Sequence, residues 1–140
     1  MNEFERLCAM LKIAYENIVV LHHQAVGKNW KTVHEWMEEI YEAVQKCADD
    51  MTEAALMLGY REMSIADAVL AFQGDVLTAE PRDKSETYMA AQNILRTLCG
   101  MIEAAKHIAP PDVQSRLDEC AYAFNVTANY KLERAMADRD

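Results

Sequence analysis

Apolar residues recur in steps of three and four along most of the 140-residue chain, which is the spacing of one face of an α-helix. Residues 4–25 carry one such seam and residues 33–58 carry a second, and a glycine follows each. A capping box of Thr32 and Glu35 is predicted to start the second helix, with Asn29 as the alternative N-cap. Because the connection between the seams is short, the two helices are predicted to be antiparallel neighbours.

The helical pattern breaks over residues 59–83, where glycine, proline and aspartate recur. Within this stretch, Ser64 with Asp67 three residues later predicts a short capped helix. Helical spacing returns over residues 88–105, stops at a Pro-Pro pair, and resumes from about Asp112. The chain is therefore predicted to contain four long helices and one short helix.

Two helical hairpins joined by a connection of about 25 residues favour a bundle with one long crossover. The predicted fold class is all-α: a ferritin-like four-helix bundle with a short extra helix in the crossover between the second and third long helices. At roughly 100–200 residues per domain, residues 1–140 are predicted to form a single domain.

Charge and composition narrow the possible partners. Lys and Arg total 14 against 23 Asp and Glu, a formal net charge of −9 at pH 7. This acidity argues against DNA binding, because phosphate binding needs a basic surface.

No apolar run reaches the roughly 18–20 residues that span a bilayer, and the N-terminus lacks the basic and apolar regions of a signal peptide. A cytoplasmic protein without a membrane partner is expected, with its four cysteines reduced and mostly buried.

Histidine and carboxylate residues cluster on the first two helices. His22 lies near the end of the first helix, and the second helix carries His34, Glu38, Asp49 and Glu53. At 100° per residue, the four residues of the second helix fall at about 0°, 40°, 60° and 100° around its axis, so all project into one sector. Asp49 lies about 22 Å along the axis from His34, too far for one metal to be bound by both within one chain.

A two-fold contact between identical chains would bring the two ends of the helix together despite this distance. It would bring the His34–Glu38 end of one helix against the Asp49–Glu53 end of its partner, with His22 joining from the neighbouring helix. Two imidazoles and three carboxylates suit iron.

Taken one at a time, these residues are also compatible with an ordinary helix surface, because single histidines on helices are commonly surface groups and acidic residues commonly form a solvated face. A helical-bundle oxidoreductase with two metals acting on a small molecule and a metal-free helical interaction protein therefore remain alternatives.

Other metal and nucleotide motifs are missing from the sequence. It contains no Glu-x-x-His, so the intrachain di-iron site of ferritins is not supported. It also contains no His-Glu-x-x-His, Gly-rich phosphate loop or nucleophile elbow.

The order of the five candidate ligands resembles a known signature. A His, eleven residues, a His, three residues, an acid, ten residues, an Asp, three residues and a Glu is similar to the ferroxidase signature of the Dps family, the mini-ferritins. The alanine-rich end of the second helix and the segment from Asn129 to Met136 are also similar to that family. The resemblance covers nearly the whole chain, and the five-residue spacing is its specific part.

The resemblance implies a hollow homo-dodecamer built from two-fold dimers. Each dimer interface would hold di-iron ferroxidase sites that oxidise ferrous iron, preferably with hydrogen peroxide, and the shell would store the ferric product and protect against oxidative damage. His22, with Asp49 and Glu53 of the partner subunit, would bind the tighter iron. His34 and Glu38 would bind the second iron.

Some positions differ from the usual pattern of the family. Glu38 stands where Asp is usual, and His23 replaces a Trp, where it is expected to be a neighbour without a ligand role. Asp112 matches a position of the family's acidic iron-entry pore, but Arg116 and His107 stand where further acids are expected. The chain also has no Lys-rich N-terminal tail, so DNA binding remains unexpected.

Overall fold

The computed structural model of the chain describes residues 1–137, so the last three residues of the predicted domain lie outside the described part. Helices account for most of this range. They are α1 (Glu3–Gln24), α2 (Trp30–Met57), α3 (Ile65–Phe72), α4 (Lys84–Lys106), α5 (Pro111–Val126) and α6 (Leu132–Met136). A short 3-10 turn (Gln73–Asp75) follows α3, and a π-helical turn (Thr127–Lys131) joins α5 to α6 into one long final helix.

The long helices pack around one continuous apolar core. Helix α1 packs against α2, α3 and α4; α4 packs against α5; and α2 contacts both α4 and α5. The largest fully buried side chains are Phe4, Leu7, Leu11, Ile18, Leu21, Met37, Met51, Met63, Tyr88, Leu95, Leu98 and Ile102. The arrangement confirms the predicted all-α four-helix bundle with a short helix in its long crossover. Within residues 1–137, no helix is both long and apolar enough to cross a membrane.

Local hydrogen bonds explain where α3 and α2 begin. Ser64 and Asp67 form the predicted capping box at the start of α3. The predicted box of Thr32 and Glu35 is wrong, because α2 begins earlier, at Trp30, with Asn29 as N-cap. The left-handed backbone of Gly27 (φ 107°) turns the chain sharply, and the Trp30 N–H donates to the Gly27 carbonyl at 3.1 Å. The helix therefore starts as soon as this turn closes.

The crossover is fixed to α1 at two places. The buried Asn17 side chain donates to the Asp75 carbonyl at 2.8 Å and accepts from the Leu77 N–H at 3.0 Å. Further along, Arg82 exchanges backbone hydrogen bonds with the end of α1: its carbonyl accepts from Val26 at 3.0 Å, and its N–H donates to Gln24 at 3.2 Å. A connection that looks irregular in sequence is therefore held in one position on the bundle.

The π-helical turn in the last helix has a partner on α4. Gln92 is buried, and its Nε2 donates to the Ala128 carbonyl at 2.8 Å and to Glu133 Oε1 at 2.8 Å. A π turn disrupts the regular i to i−4 bonding of a helix, so a buried carbonyl there needs another donor. Gln92 supplies that donor and ties α4 to α6.

Candidate metal centre

Two of the predicted ligands meet where α1 ends and α2 begins. His22, in the last turn of α1, is 7% exposed, and His34, in the first turns of α2, is half-buried. Their imidazole rings are stacked, with centroids 3.6 Å apart and planes 20° from parallel. His22 Nδ1 lies 2.7 Å from the His34 carbonyl oxygen, and His34 Nδ1 lies 2.8 Å from the His22 carbonyl oxygen.

These reciprocal hydrogen bonds fix the chemistry of both rings. A carbonyl oxygen can only accept, so each Nδ1 carries the hydrogen and donates. In the neutral ring this leaves Nε2 with its lone pair. Metal-binding histidines are commonly oriented by such a hydrogen bond from the other ring nitrogen to a carbonyl. When neutral, His22 and His34 are therefore both held in the Nδ1–H tautomer, which leaves Nε2 as the unprotonated nitrogen.

Aromatic and acidic side chains surround the pair. The Tyr41 ring packs edge-on against His22 at 5.3 Å, and Trp30 packs edge-on against His34 at 5.7 Å. The Tyr41 hydroxyl donates to Glu38 Oε1 at 3.5 Å, a long hydrogen bond. Desolvation raises the pKa of Tyr41, and the Glu38 carboxylate raises it further. Tyr41 therefore contacts both His22 and the exposed Glu38 side chain.

The remaining predicted ligands lie elsewhere on α2. Asp49 and Glu53 are exposed in the second half of this helix, and Asp49 is about 22 Å along the axis from His34. Within residues 1–137, no three His, Cys, Asp or Glu side chains of one chain form a complete metal cluster. One chain brings His22 and His34 together, but within residues 1–137 it does not bring Glu38, Asp49 or Glu53 into a cluster with them.

The comparisons with known proteins agree with the bundle. No family model and no curated protein sequence matches the chain. Among solved structures, it superposes on Dps from Staphylococcus aureus with a TM-score of 0.79 at 15% identity, covering 98% of this chain and 94% of that one. It superposes on antigen TpF1 from Treponema pallidum with a TM-score of 0.71 at 18% identity, covering 90% of this chain and 88% of that one. The chain has the Dps fold.

Within this Dps fold, two neighbours of the predicted ligands were not among the predicted site residues. Tyr41 follows Glu38 by three residues, a spacing that places both side chains on one face of α2, so the helical period could have identified it. Asp50 lines a surface cavity of about 310 Å³ together with Glu53, Asp112 and Arg116. Asp112 is exposed in the first turn of α5, and its role in an entry pore stays a prediction.

Imidazole nitrogens and carboxylate oxygens are ligands that iron accepts, so His22 and His34 are of a suitable type, although within residues 1–137 of one chain they lack a third ligand. They fill only part of an iron coordination shell. Further oxygen ligands from outside the chain would complete it.

Proposed function

We propose that this protein is a mini-ferritin that oxidises ferrous iron with hydrogen peroxide and stores the ferric product. The observation that carries the proposal is the His22–His34 pair, stacked and held by reciprocal hydrogen bonds through Nδ1. The Dps fold and the carboxylates at the opposite end of α2 support it. The protein would protect the cell by removing ferrous iron and peroxide together.

In the proposed assembly, two chains pair about a two-fold axis so that α2 of one chain lies against α2 of the other. His22 would bind the first iron together with Asp49 and Glu53 of the partner subunit. His34 and Glu38 would bind the second iron. Three carboxylates would balance most of the charge of two divalent ions, and twelve such chains would form the closed shell.

Pairing two irons in one site suits peroxide as the oxidant. Reduction of one peroxide molecule to two waters takes two electrons and two protons, and two ferrous ions supply one electron each. A single ferrous ion would supply only one electron and leave a hydroxyl radical. The role of the chain is to hold the two ions close together, with His22 and His34 fixed in orientation by their backbone hydrogen bonds.

The test measures oxidation of anaerobically added ferrous iron after peroxide is supplied, by ferric absorbance. His22→Ala and Glu53→Ala should each slow the reaction about tenfold or more, because each removes a ligand. His23→Ala is the matched control, since His23 is the exposed neighbour of His22 and has no ligand role in the proposal. Wild-type rates in both ligand variants would overturn the proposed site.

A further inference from the structure

Two cysteines from different helices meet away from the histidine pair. Cys47 on α2 is 3% exposed, and Cys120 on α5 is half-buried. Both side chains line the same small surface cavity, and each thiol shifts the pKa of the other. The residues are 73 positions apart, and only the packing of α2 against α5 brings them together.

A cavity of about 130 Å³ opens onto both thiols. Lys46, Arg116 and Phe124 contribute to its lining. A water molecule occupies about 30 Å³ of liquid, so the cavity has room for a molecule as small as hydrogen peroxide. The pair is therefore accessible to a small polar oxidant.

We propose that Cys47 and Cys120 form a peroxide-sensitive dithiol that closes into a disulfide between α2 and α5. This goes beyond the proposed iron chemistry and does not depend on it. The Cys120 thiolate attacks one peroxide oxygen, the O–O bond breaks, and hydroxide leaves as water after taking a proton. The Cys47 sulfur then attacks the sulfenic sulfur of Cys120, and a second water leaves. One peroxide is reduced to two waters, and two thiols are oxidised to one disulfide.

The surroundings make Cys120 the attacking sulfur. It is the more accessible of the two, and the neighbouring Cys47 thiol lowers its pKa despite its burial. The other two cysteines have a raised thiol pKa instead. Burial raises the pKa of the Cys8 thiol to about 12, and this thiol donates to the Met51 carbonyl at 3.5 Å. Burial also raises the pKa of Cys99.

The experiment uses iron-free protein with a chelator present, so that its outcome is independent of ferroxidase activity. After treatment with equimolar hydrogen peroxide, the intact mass should fall by about 2 Da, the loss of two hydrogens, and dithiothreitol should restore it. Trypsin places each of the four cysteines in a separate peptide, because a Lys or Arg lies between every pair. Peptide mapping should find one cross-link, between Cys47 and Cys120.

Single variants test the order of the steps. Cys47→Ser should stop at a sulfenic acid on Cys120, which dimedone traps, and Cys120→Ser should show no cross-link. Cys99→Ser is the control and should give the wild-type cross-link. Cys8 also lies near enough to Cys47 to influence its charge, so a Cys8–Cys47 cross-link in wild-type protein would overturn the proposal. Four intact thiols after the treatment would overturn it equally.

Discussion

His22 and His34 each donate a hydrogen bond from the ring nitrogen Nδ1 to the backbone carbonyl of the other residue. The end of α1 and the start of α2 are therefore joined by a closed pair of hydrogen bonds, with the two rings stacked between them. Each ring needs the backbone of the other residue to be in place, so the two potential ligands are oriented together. This mutual orientation is the basis of the predictions about metal binding.

The first prediction concerns sharing of the site between chains. A chain with His22→Ala and His34→Ala lacks one half of the proposed site, and a chain with Asp49→Ala and Glu53→Ala lacks the other half. When the two inactive variants are refolded together, mixed dimers should contain one intact site and regain part of the ferroxidase activity. Native mass spectrometry identifies the mixed assemblies, and an absence of recovery in them would contradict a shared site.

The second prediction concerns Tyr41, which contacts both His22 and Glu38. Tyr41→Phe removes only the hydroxyl that donates to the Glu38 carboxylate. We expect binding of a second ferrous equivalent to weaken by up to about tenfold, while the first equivalent binds as in wild type. Anaerobic titration calorimetry measures both steps. Tyr15→Phe is the matched control, because the Tyr15 ring packs against Tyr41 at 5.7 Å.

The third prediction is the absence of tight DNA binding at low salt. Acidic residues outnumber basic residues by 23 to 14, and a shell of identical chains would multiply this excess. Affinity for DNA without sequence preference comes from Lys and Arg displacing counterions from phosphates. A gel-shift assay with chelator should leave the DNA unretarded. Retardation under those conditions would reveal a basic patch formed on assembly, and retardation only with added divalent metal would indicate metal bridging.

The fourth prediction concerns the buried Gln92 beside the π-helical turn. Gln92→Leu keeps a similar volume but leaves the Ala128 carbonyl without its side-chain donor. The free energy of unfolding should fall by about 1–3 kcal/mol, the cost of an unsatisfied buried polar group. Asn93→Ala, at the exposed neighbouring position, should change it by less than about 0.5 kcal/mol. Denaturant unfolding at one fixed protein concentration compares the two variants, and equal stabilities would contradict the assigned role.

The fifth prediction concerns the dependence of stability on pH. Backbone N–H groups of Asn2 and Arg61 donate to Glu5 and hold the pKa of its carboxyl below the ordinary value of 4.5. A lowered pKa stabilises the fold at pH values above 4.5, and this contribution disappears as the pH falls through the lowered value. Glu5→Gln should therefore be less stable than wild type at pH 7, by no more than about 1 kcal/mol after solvent screening. Thermal unfolding curves of the two proteins should converge as the pH falls well below 4.5, whereas Glu3→Gln should follow wild type throughout.

The helical period of the sequence identifies the long helices and the crossover, because burial of one face imposes that period. It also places Glu38, Asp49 and Glu53 on one face of α2. It could not reveal the bonds between the rings and carbonyls of His22 and His34, since these depend on how the α1–α2 turn closes. The role of Asn17 in holding the crossover could not be predicted either. Its partners are backbone groups about 60 positions away, and backbone groups carry no residue-specific pattern.

The two attachments of the crossover to α1 have a consequence for engineering of the chain. Residues 78–81 are exposed and lie between the Asn17 bonds to Asp75 and Leu77 on one side and the pairing of Arg82 with the end of α1 on the other. Both ends of this segment are therefore fixed to α1, and within it only the Thr78 and Glu80 carbonyls accept hydrogen bonds from the Arg82 side chain, at 3.0 and 3.3 Å. A fused tag or an inserted reporter domain at this point would lengthen a loop whose closure cost grows only slowly with length, and the bundle should accept the fusion without shifting any helix.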